Sequence, residues 1–371
     1  MGLMSGTSMD GVDVSIIKSD GFDEVELILD KYFEYDTDLY KQLSTLRDKI
    51  KNSEDLTKYS KELSDLERAL TIFHAEKVCK IALKNGIEID LIGFHGQTIF
   101  HDSKKRITKQ LGDGNLLSQL TKKKVIYNFR QNDLDNGGQG APLTPIFHNV
   151  LANILSEKYK IDFPINILNI GGIANVTSTV DWKNLWHSQN IYAYDIGPGN
   201  CLIDEWIRKN SKEKYDKEGL IAKSGKIDKL ILNQALDNFK IESNYAKSLD
   251  INDFDIFFAK GLSLENGAAT ITDFTARLIA DGINFVNKIT NSNKNKWMIC
   301  GGGRKNKVLL ERIRNNFENL DFDPIDKYKI KGDFVESQAF AFLAIRSLQG
   351  MPISFPTTTR NNKFLTGGVL I

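Results

Sequence analysis

The sequence predicts an α/β protein built from two similar domains. Two glycine-rich segments, each flanked by strand-like apolar residues, begin near Gly2 and Ile165, and mixed helical and strand patterns follow each of them. We interpret this repetition as an internal duplication. The length of 371 residues also fits two domains better than one. We expect a first domain over residues 1–160, with residues 350–371 as a candidate return to it, and a second domain over residues 161–349.

Composition excludes several classes of protein. The formal net charge is +1, and acidic and basic residues are mixed along the chain, so no basic face points to nucleic acid or to an anionic membrane. No apolar run approaches the roughly eighteen residues that span a bilayer, and no basic-then-apolar leader precedes the first motif. The three cysteines are far apart and lack metal-ligand spacing. These features predict a soluble, cytoplasmic protein.

The opening of the chain predicts a β-hairpin. The small-residue loop SGTSM is followed by an Asp-Gly pair and by a stretch in which apolar and polar residues alternate. Glycine lets the backbone approach a phosphate closely, and converging N–H groups bind it, so Ser5–Gly11 is a candidate phosphate loop. An ordinary hairpin turn is the alternative, because Gly and Ser suit turns in general. Met1 directly precedes the motif, so we expect either a short first strand or a native start further upstream.

Helical and strand patterns then follow in order. Apolar spacing over Ser60–Lys84 predicts an amphipathic helix that Gly86 closes. The aliphatic run Ile87–Phe94 predicts a strand that delivers HGQT, residues His95–Thr98, to its end. Strand ends in α/β folds commonly carry ligands. A second glycine-rich segment, Asn132–His148, predicts a loop that leads into a helix.

The second half contains further glycine turns after predicted strands. The apolar strand Ile165–Ile170 runs into GGIANV, YDIGPGN precedes a predicted helix over Cys201–Arg208, and a short strand at Trp297–Cys300 enters GGGRKN. The apolar run Glu336–Leu348 predicts a helix that ends before Gly350.

The order and wording of these motifs narrow the choice of family. Neither GxxxxGK[ST] nor GxGxxG occurs in the right setting, so P-loop, protein-kinase and Rossmann interpretations lose their main support. Seven segments occur in this order: GLMSGTSMDGVDVSI, IGFHGQTIFH, GGQGAPLTPIFH, LNIGGIANVT, YDIGPGNCLIDEW, CGGGRKN and ESQAFAFLA. Together they closely resemble the anhydro-N-acetylmuramic acid kinase family over nearly the full chain. The resemblance implies the fold of the sugar kinase, Hsp70 and actin (ASKHA) superfamily, with two ribonuclease-H-like domains around a central ATP cleft.

The resemblance also implies an activity. Enzymes of this family use ATP to phosphorylate O6 of 1,6-anhydro-N-acetylmuramic acid while water opens the anhydro ring, which yields N-acetylmuramic acid 6-phosphate in peptidoglycan recycling. ATP and Mg²⁺ are the implied cofactors, and a homodimer is the implied assembly. Two alternatives stay open: a kinase of the same fold that acts on an intact hexosamine, and an ATPase of the Hsp70 or actin type that binds protein.

The same resemblance implies roles for individual residues. The nucleotide-side positions are Ser5, Gly6, Thr7, Ser8, Met9, Asp10, Gly11, Gly171, Gly172, Asn175, Gly197, Gly199, Asn200, Gly301, Gly302, Gly303 and Asn306. The sugar-side positions are His95, Gln97, Thr98, Arg130 and Glu336. The metal-side candidates are Asp10 and Asp195. Asp133 is the implied general base, which takes a proton from the water that attacks the anomeric carbon.

Structural explanations compete with several of these roles. A lone aspartate in a loop is more often a cap or turn residue, and Asp135 lies only two positions from Asp133. Glu336 is alternatively a negative charge favoured at a helix N-terminus. The histidines interpreted as structural are His74, His101 and His148. The segment Lys247–Asp250 departs from the family pattern, so we carry no role over from it.

Overall fold

The computed structural model describes residues 1–180, 190–239, 248–290 and 296–371, and Lys247 lies outside these ranges. The described chain divides into two compact units, one formed by Met1–Asn153 with Phe334–Ile371 and the other by Ile154–Asp333. Residues 350–371 therefore lie in the first unit. Among the described helices, none combines the length and apolar character that crossing a bilayer requires.

The first unit contains a mixed sheet covered by helices. Its strands are β1 (Gly2–Ser5), β2 (Gly11–Ser19), β3 (Val25–Glu34), β4 (Leu91–Asp102), β5 (Ile107–Leu111), β6 (Lys124–Tyr127) and β12 (Val369–Leu370). Its helices are α1 (Thr37–Lys49), α2 (Ser53–Lys58), α3 (Ser60–Asn85), α4 (Gly114–Thr121), α5 (Gln131–Asp135), α12 (Val335–Leu348) and α13 (Pro356–Thr359). Helix α6 (Pro145–Tyr159) contains the division at Asn153.

The strand order of this sheet follows from the opening hairpin. Strands β1, β2 and β3 form an antiparallel meander, β4 runs parallel to β1 on its other side, and β6 runs parallel to β4. The sheet order is thus β3-β2-β1-β4-β6-β12, with β5 paired to β4. The hairpin predicted from the Asp-Gly pair and the alternating residues is present.

Helix α12 belongs to the first unit, whereas the sequence assigned it to the second domain. It packs against β1, β2 and β4. Gly2 and Gly93 are neighbours in the parallel β1–β4 pair, and a Cβ on either would overlap a backbone carbonyl of α12, that of Ser337 or Phe340. Because neither glycine has a side chain, the backbone of α12 lies directly on β1 and β4. The division therefore falls after Asp333, not at the predicted residue 349.

Strand β4 corrects a second expectation. HGQT was expected at a strand end, but β4 continues to Asp102, so His95–Thr98 lies inside it. Gly96 adopts a positive φ of 73°, and the β1–β4 register shifts between Leu3 and Met4, so the motif occupies an irregularity of the strand. The extra length arises because β5 pairs with the second half of β4.

The second unit repeats the strand order of the first. Its strands are β7 (Ile165–Ile170), β8 (Ile173–Thr179), β9 (Ile191–Pro198), β10 (Lys296–Cys300) and β11 (Phe322–Pro324). Its helices are α7 (Cys201–Asn210), α8 (Leu220–Ser224), α9 (Lys229–Asn238), α10 (Leu264–Ile289) and α11 (Lys307–Arg314). The sheet order is β9-β8-β7-β10-β11, with an antiparallel meander followed by two parallel strands. The same order and directions in both units confirm the predicted fold class of two similar α/β domains.

Each unit has its own apolar core. In the second unit α10 packs against β9 and α7, and Gly282 and Gly267 let it approach the side chains of Ile196 and Trp206 closely. In the first unit, apolar residues of α1 and α3 pack with those of β1, β2 and β4. The glycine turns after β1, β7, β9 and β10 lie at strand ends of these two sheets.

Candidate active site

The opening hairpin loop has a buried base and an exposed tip. Ser5 and Met9 are buried, whereas Thr7 and Ser8 are exposed. The Met9 N–H donates to the Gly6 carbonyl at 3.1 Å and closes a tight turn, in which Met9 adopts a φ of 57°. The exposed residues at the tip are therefore Thr7 and Ser8, and their role in phosphate binding stays a prediction.

The predicted nucleotide residue Ser5 uses its side chain inside the protein. Its Oγ lies 2.6 Å from Gln97 Oε1, 3.0 Å from the Gly11 carbonyl and 2.8 Å from the Tyr35 hydroxyl. Gln97 Nε2 also donates to the Gly6 carbonyl at 3.1 Å. Gln97, predicted on the sugar side, thus holds the hairpin loop to β4. Tyr35 was not predicted, because it follows β3 in a charged stretch without any local motif.

Gly11 has a packing reason for being glycine. A Cβ there would overlap the Phe33 carbonyl and lie 2.5 Å from the Tyr32 ring. The structure therefore explains this glycine by the close approach of β3 to the hairpin. The phosphate-loop prediction depends on Gly6 and its exposed neighbours.

Asp10 is the loop residue whose chemistry fits a magnesium ion. Its side chain is partly exposed, and Oδ1 accepts a hydrogen bond from Ser8 Oγ at 2.5 Å. Among the described residues, no group of three or more His, Cys, Asp or Glu side chains could hold a metal ion. Mg²⁺ that is bound mainly through substrate phosphates needs only one or two protein carboxylates, so this donor set fits it.

A second cluster in the first unit centres on Arg130. Its guanidinium donates to His95 Nε2 at 2.9 Å and to the Gly140 carbonyl at 2.8 Å. Because arginine can only donate, His95 Nε2 must accept, and the proton sits on Nδ1, which donates to the Gly96 carbonyl at 2.8 Å. Burial, together with the Arg130 charge, lowers the pKa of His95 well below its ordinary value. His95 is therefore a neutral residue that orients Arg130.

Glu336 is close enough to Arg130 to feel its charge, whereas Thr98 lies further along β4. Glu336 is in the first turn of α12, where a helix dipole favours a carboxylate. Burial raises the pKa of Glu336, and the Arg130 charge opposes that rise. Thr98 Oγ1 accepts a hydrogen bond from Gln110 at 3.3 Å across the β4–β5 pair. The cluster therefore combines an oriented arginine with a carboxyl group whose proton affinity is increased.

Asp133 lies in helix α5, where the sequence predicted a loop, and it is a buried hydrogen-bond centre. Its Oδ1 accepts from the side chains of Ser354, Thr359 and Asn361 at 2.6, 2.7 and 2.8 Å. Its Oδ2 accepts from the Gly140 N–H at 2.7 Å. The carboxylate thereby fixes residues 354–361 and the GGQG loop to one another.

This environment favours an anchoring role for Asp133. A general base needs an oxygen that reaches a water molecule. Oδ1 already accepts three hydrogen bonds, and Oδ2 packs so closely on Gly138 that a Cβ there would overlap it. The catalytic role of Asp133 stays a prediction.

In the second unit the structure brings the predicted glycine turns together. The Gly199 N–H donates to the Gly172 carbonyl at 2.8 Å, and the Asn200 N–H donates to the Gly171 carbonyl at 2.7 Å. Gly301 follows β10, and a Cβ there would meet Ile170 at the end of β7. Three segments that are distant in sequence therefore form one group of backbone turns at the ends of β7, β9 and β10.

The polar members of this group have defined partners. Asn306 caps α11, because its Oδ1 accepts from the Leu309 N–H at 3.0 Å. Asp195 is buried in β9 opposite Asn175 of β8, and its Oδ2 accepts from Ser248 Oγ at 3.0 Å and the Leu249 N–H at 2.9 Å. Ser248 and Leu249, to which we carried over no role, therefore hold Asp195.

Comparison with known proteins identifies relatives over the whole chain. The family model described as anhydro-N-acetylmuramic acid kinase matches residues 1–371. The anhydro-N-acetylmuramic acid kinase of Pelagibacter ubique is 53% identical over 377 residues, covering 100% of this chain and 97% of the relative. The protein of the same name from Rhodopseudomonas palustris is 37% identical, covering 100% of this chain and 98% of the relative.

Solved structures of lower similarity also match. A hexokinase from Schistosoma mansoni complexed with glucose is 11% identical with a TM-score of 0.42, covering 91% of this chain and 84% of the other. A ROK family glucokinase from Streptomyces griseus, in complex with glucose and AMPPNP, is 10% identical with a TM-score of 0.37, covering 92% of this chain and 98% of the other.

Proposed function

The chain belongs to the anhydro-N-acetylmuramic acid kinase family, and from this premise we propose that it converts 1,6-anhydro-N-acetylmuramic acid to N-acetylmuramic acid 6-phosphate with ATP. The observation that carries this proposal is the family match over all 371 residues. The exposed hairpin tip and the oriented arginine of the first unit, and the glycine turns of the second unit, support it. The enzyme acts in peptidoglycan recycling.

The reaction joins a hydrolysis to a phosphoryl transfer. A water oxygen forms a bond to C1 of the sugar while the C1–O6 bond breaks, and a proton of that water passes to a carboxylate. O6 then takes the γ-phosphoryl group as the bond between the γ-phosphorus and ADP breaks. Since phosphorus captures O6, no second carboxyl group is needed to protonate it.

We assign nucleotide binding to the backbone turns. Phosphoryl transfer depends on positioning and charge neutralisation, which converging N–H groups supply. The turn with the exposed residues Thr7 and Ser8 suits phosphate binding in the first unit, and the turns at Gly171, Gly199 and Gly301 suit nucleotide binding in the second. Bound Mg²⁺ would supply positive charge that offsets the charge of the phosphates. Asp10 is its proposed protein ligand.

Sugar recognition falls to the cluster around Arg130. His95 and the Gly140 carbonyl fix the plane of its guanidinium, so the positive charge of Arg130 has a defined orientation for oxygen atoms of the sugar. Such prior orientation lowers the entropy lost on binding. Glu336 is the proposed acceptor for a sugar hydroxyl in the same cluster.

Asp133 is the proposed proton acceptor, and Asp195, which the sequence predicts on the metal side, is the alternative. Asp133 is the residue that the sequence predicts, but its four hydrogen bonds from protein donors support an anchoring role. Asp195 is the other aspartate that is buried within a predicted glycine motif, and two donors hold its Oδ2. The paired substitution of both residues by asparagine separates these roles.

The function is tested by comparing acceptors at equal concentration. ADP release and sugar phosphate are measured with ATP, Mg²⁺ and anhydro-N-acetylmuramic acid, with N-acetylmuramic acid, with N-acetylglucosamine, or with no sugar. We expect one sugar 6-phosphate per ADP with the anhydro sugar and only background with the others. Equal or faster turnover of an intact hexosamine would establish the alternative kinase. ADP release at the same rate with and without each sugar would contradict both kinase functions.

A further inference from the structure

Arg304, the residue after the GGG turn, has a partner for each guanidinium N–H. Nε and one terminal nitrogen donate to the two oxygens of Asp326 at 2.6 and 3.0 Å. The two terminal nitrogens donate to the two oxygens of Asp333 at 2.6 and 3.0 Å. The remaining N–H donates to the Gly301 carbonyl at 2.9 Å. An arginine guanidinium has five N–H donors, so this set uses all of them.

The Arg304 guanidinium is largely withdrawn from solvent, and the charges of the cluster balance. Only 7% of the Arg304 side chain is exposed, and Lys305 adds a second ion pair to Asp333 at 2.7 Å. Burial alone would raise the pKa of Asp333, but the hydrogen bonds from Arg304 and Lys305 outweigh it and lower that pKa. Both carboxylates therefore stay ionised at neutral pH, where two-pronged pairs with arginine are strong.

These contacts join the GGG turn to a second loop of the same unit. The Gly301 N–H donates to the Gly332 carbonyl at 3.0 Å, and the Gly332 N–H donates to Asp326 Oδ1 at 3.3 Å. Gly332 must also be small, because a Cβ there would lie 2.5 Å from Arg304 Nε. Residues 301–304 and 326–333 thus form one block around the guanidinium.

We propose that Arg304 is a positioning residue that fixes the GGG turn for nucleotide binding and is not itself a phosphate ligand. Residue type alone would favour the opposite assignment, in which Arg304 binds phosphate, since arginine often binds phosphate in proteins. A phosphate contact here would break the hydrogen bonds of Arg304 to Asp326 and Asp333 and would place phosphate charge beside those two carboxylates. The proposal rests on the proposed function of the GGG turn in nucleotide binding.

The test compares Arg304→Met with Arg304→Lys and with the neighbouring control Lys305→Met. Lys305 is 62% exposed and pairs with the same Asp333, so its loss leaves the turn in place. Calorimetric affinities for adenosine, ADP and ATP are measured beside kcat and the KM of each substrate. We expect Arg304→Met to weaken all three ligands by a similar factor of about 10 to 100, because a small displacement of a binding loop costs that much.

The kinetic pattern distinguishes positioning from general damage. For Arg304→Met we expect a higher KM for ATP, an unchanged KM for the sugar and a kcat within about twofold of the parent at saturating ATP. Arg304→Lys should recover part of the affinity, and Lys305→Met should match the parent. If Arg304→Met does not fold, Asp333→Asn takes its place, with a smaller loss in the same direction.

The results that would overturn the positioning role of Arg304 differ from the result that would overturn the proposed function. Loss confined to ADP and ATP, with adenosine affinity unchanged, would make Arg304 a phosphate ligand and overturn the proposal. Unchanged affinities in folded Arg304→Met, or in Asp333→Asn where that variant is needed, would also overturn it. Parent protein that binds no nucleotide would instead overturn the proposed function.

Discussion

The Thr359 hydroxyl donates to Asp133 Oδ1 at 2.7 Å across 226 residues of sequence. Ser354 and Asn361 donate to the same oxygen, so the segment 354–361 is fixed to helix α5 by one carboxylate. The Gly140 N–H binds the other oxygen, and the Gly140 carbonyl binds Arg130. The C-terminal segment therefore supports the residues that we propose for sugar recognition.

Replacing Thr359 by valine should lower stability and weaken sugar binding. The hydroxyl is buried and its bond is to a charged group, so we expect the free energy of unfolding to fall by about 1.5–3 kcal/mol. The control is Thr366→Val, since the Thr366 side chain is exposed. Urea unfolding of both variants checks the prediction, and equal stability of the two would show that the Asp133 hydrogen bonds contribute little.

Paired Asp133→Asn and Asp195→Asn variants test the identity of the base. From the hydrogen bonds we expect Asp133→Asn mainly to lower the free energy of unfolding by about 1–3 kcal/mol, because the amide places a donor where a carboxylate accepts. A lost base instead costs about 10²–10⁴ in kcat. Turnover is therefore measured per folded molecule.

The base is assigned by which of the two variants loses turnover while it stays folded. A stable, nucleotide-binding Asp133→Asn protein without turnover would establish the base that the sequence predicts. Loss of turnover in Asp195→Asn, with activity kept in folded Asp133→Asn, would assign the base to Asp195.

Replacing Tyr35 by phenylalanine should raise the KM for ATP more than the KM for the sugar. The change removes the hydroxyl that lies 2.8 Å from Ser5 Oγ and leaves the ring in place. We expect a loss of about 1 kcal/mol in stability and a higher KM for ATP, because the hairpin loop becomes less well held. The matched change is Tyr40→Phe on helix α1, outside the loop. A rise only in the KM for the sugar would contradict the proposed place of the hairpin on the nucleotide side.

Buried histidines should make the first unit sensitive to acid. Burial lowers the pKa of His74 from 6.5 to about 4, and burial lowers that of His148 from 6.5 to about 3. Below pH 6.5 the unfolded chain binds protons that the folded chain does not, so the free energy of unfolding falls as pH drops from 6.5 towards 4. Each such group contributes up to about 1.4 kcal/mol per pH unit.

The acid sensitivity is checked by urea unfolding at about pH 7.5 and about pH 5.5. His148→Gln should show a smaller loss between the two conditions than the parent protein, because glutamine does not titrate. An identical loss in both proteins would mean that His148 is protonated in the folded state or contributes nothing.

Local patterns predicted much of the fold. The helix α3 ends at Asn85, and Gly86 follows it with a left-handed φ of 61°, as the apolar spacing and the glycine indicated. The opening hairpin and the duplication were visible for the same reason, since turn residues and alternation act over a few positions. The glycine turns after β1, β7, β9 and β10 were predicted from glycine-rich sequence that follows strand-like runs, and their nucleotide role stays a prediction.

Long-range pairing set the limit of what the sequence could predict. Nothing near Thr359 or Tyr35 marks either residue as a partner of Asp133 or Ser5, because these contacts exist only once the sheet is assembled. The grouping of α12 with the first unit depends on Gly2 and Gly93 lying side by side, and strand pairing alone brings them together. The sequence places Asp133 in a motif but does not show which residues donate hydrogen bonds to its carboxylate. Its anchoring contacts therefore could not be predicted.

Ring opening by water should be coupled to phosphorylation of O6, and labelling with solvent oxygen follows both events in one product. The enzyme is incubated with ATP, Mg²⁺ and anhydro-N-acetylmuramic acid in water enriched in heavy oxygen, and the sugar product is isolated and reduced at once, before C1 exchanges with solvent, for fragmentation by mass spectrometry. For each ADP formed, we expect one heavy oxygen at C1 of the sugar and an unlabelled phosphoryl group on O6. ADP without sugar 6-phosphate, or a phosphorylated sugar without solvent oxygen at C1, would contradict it.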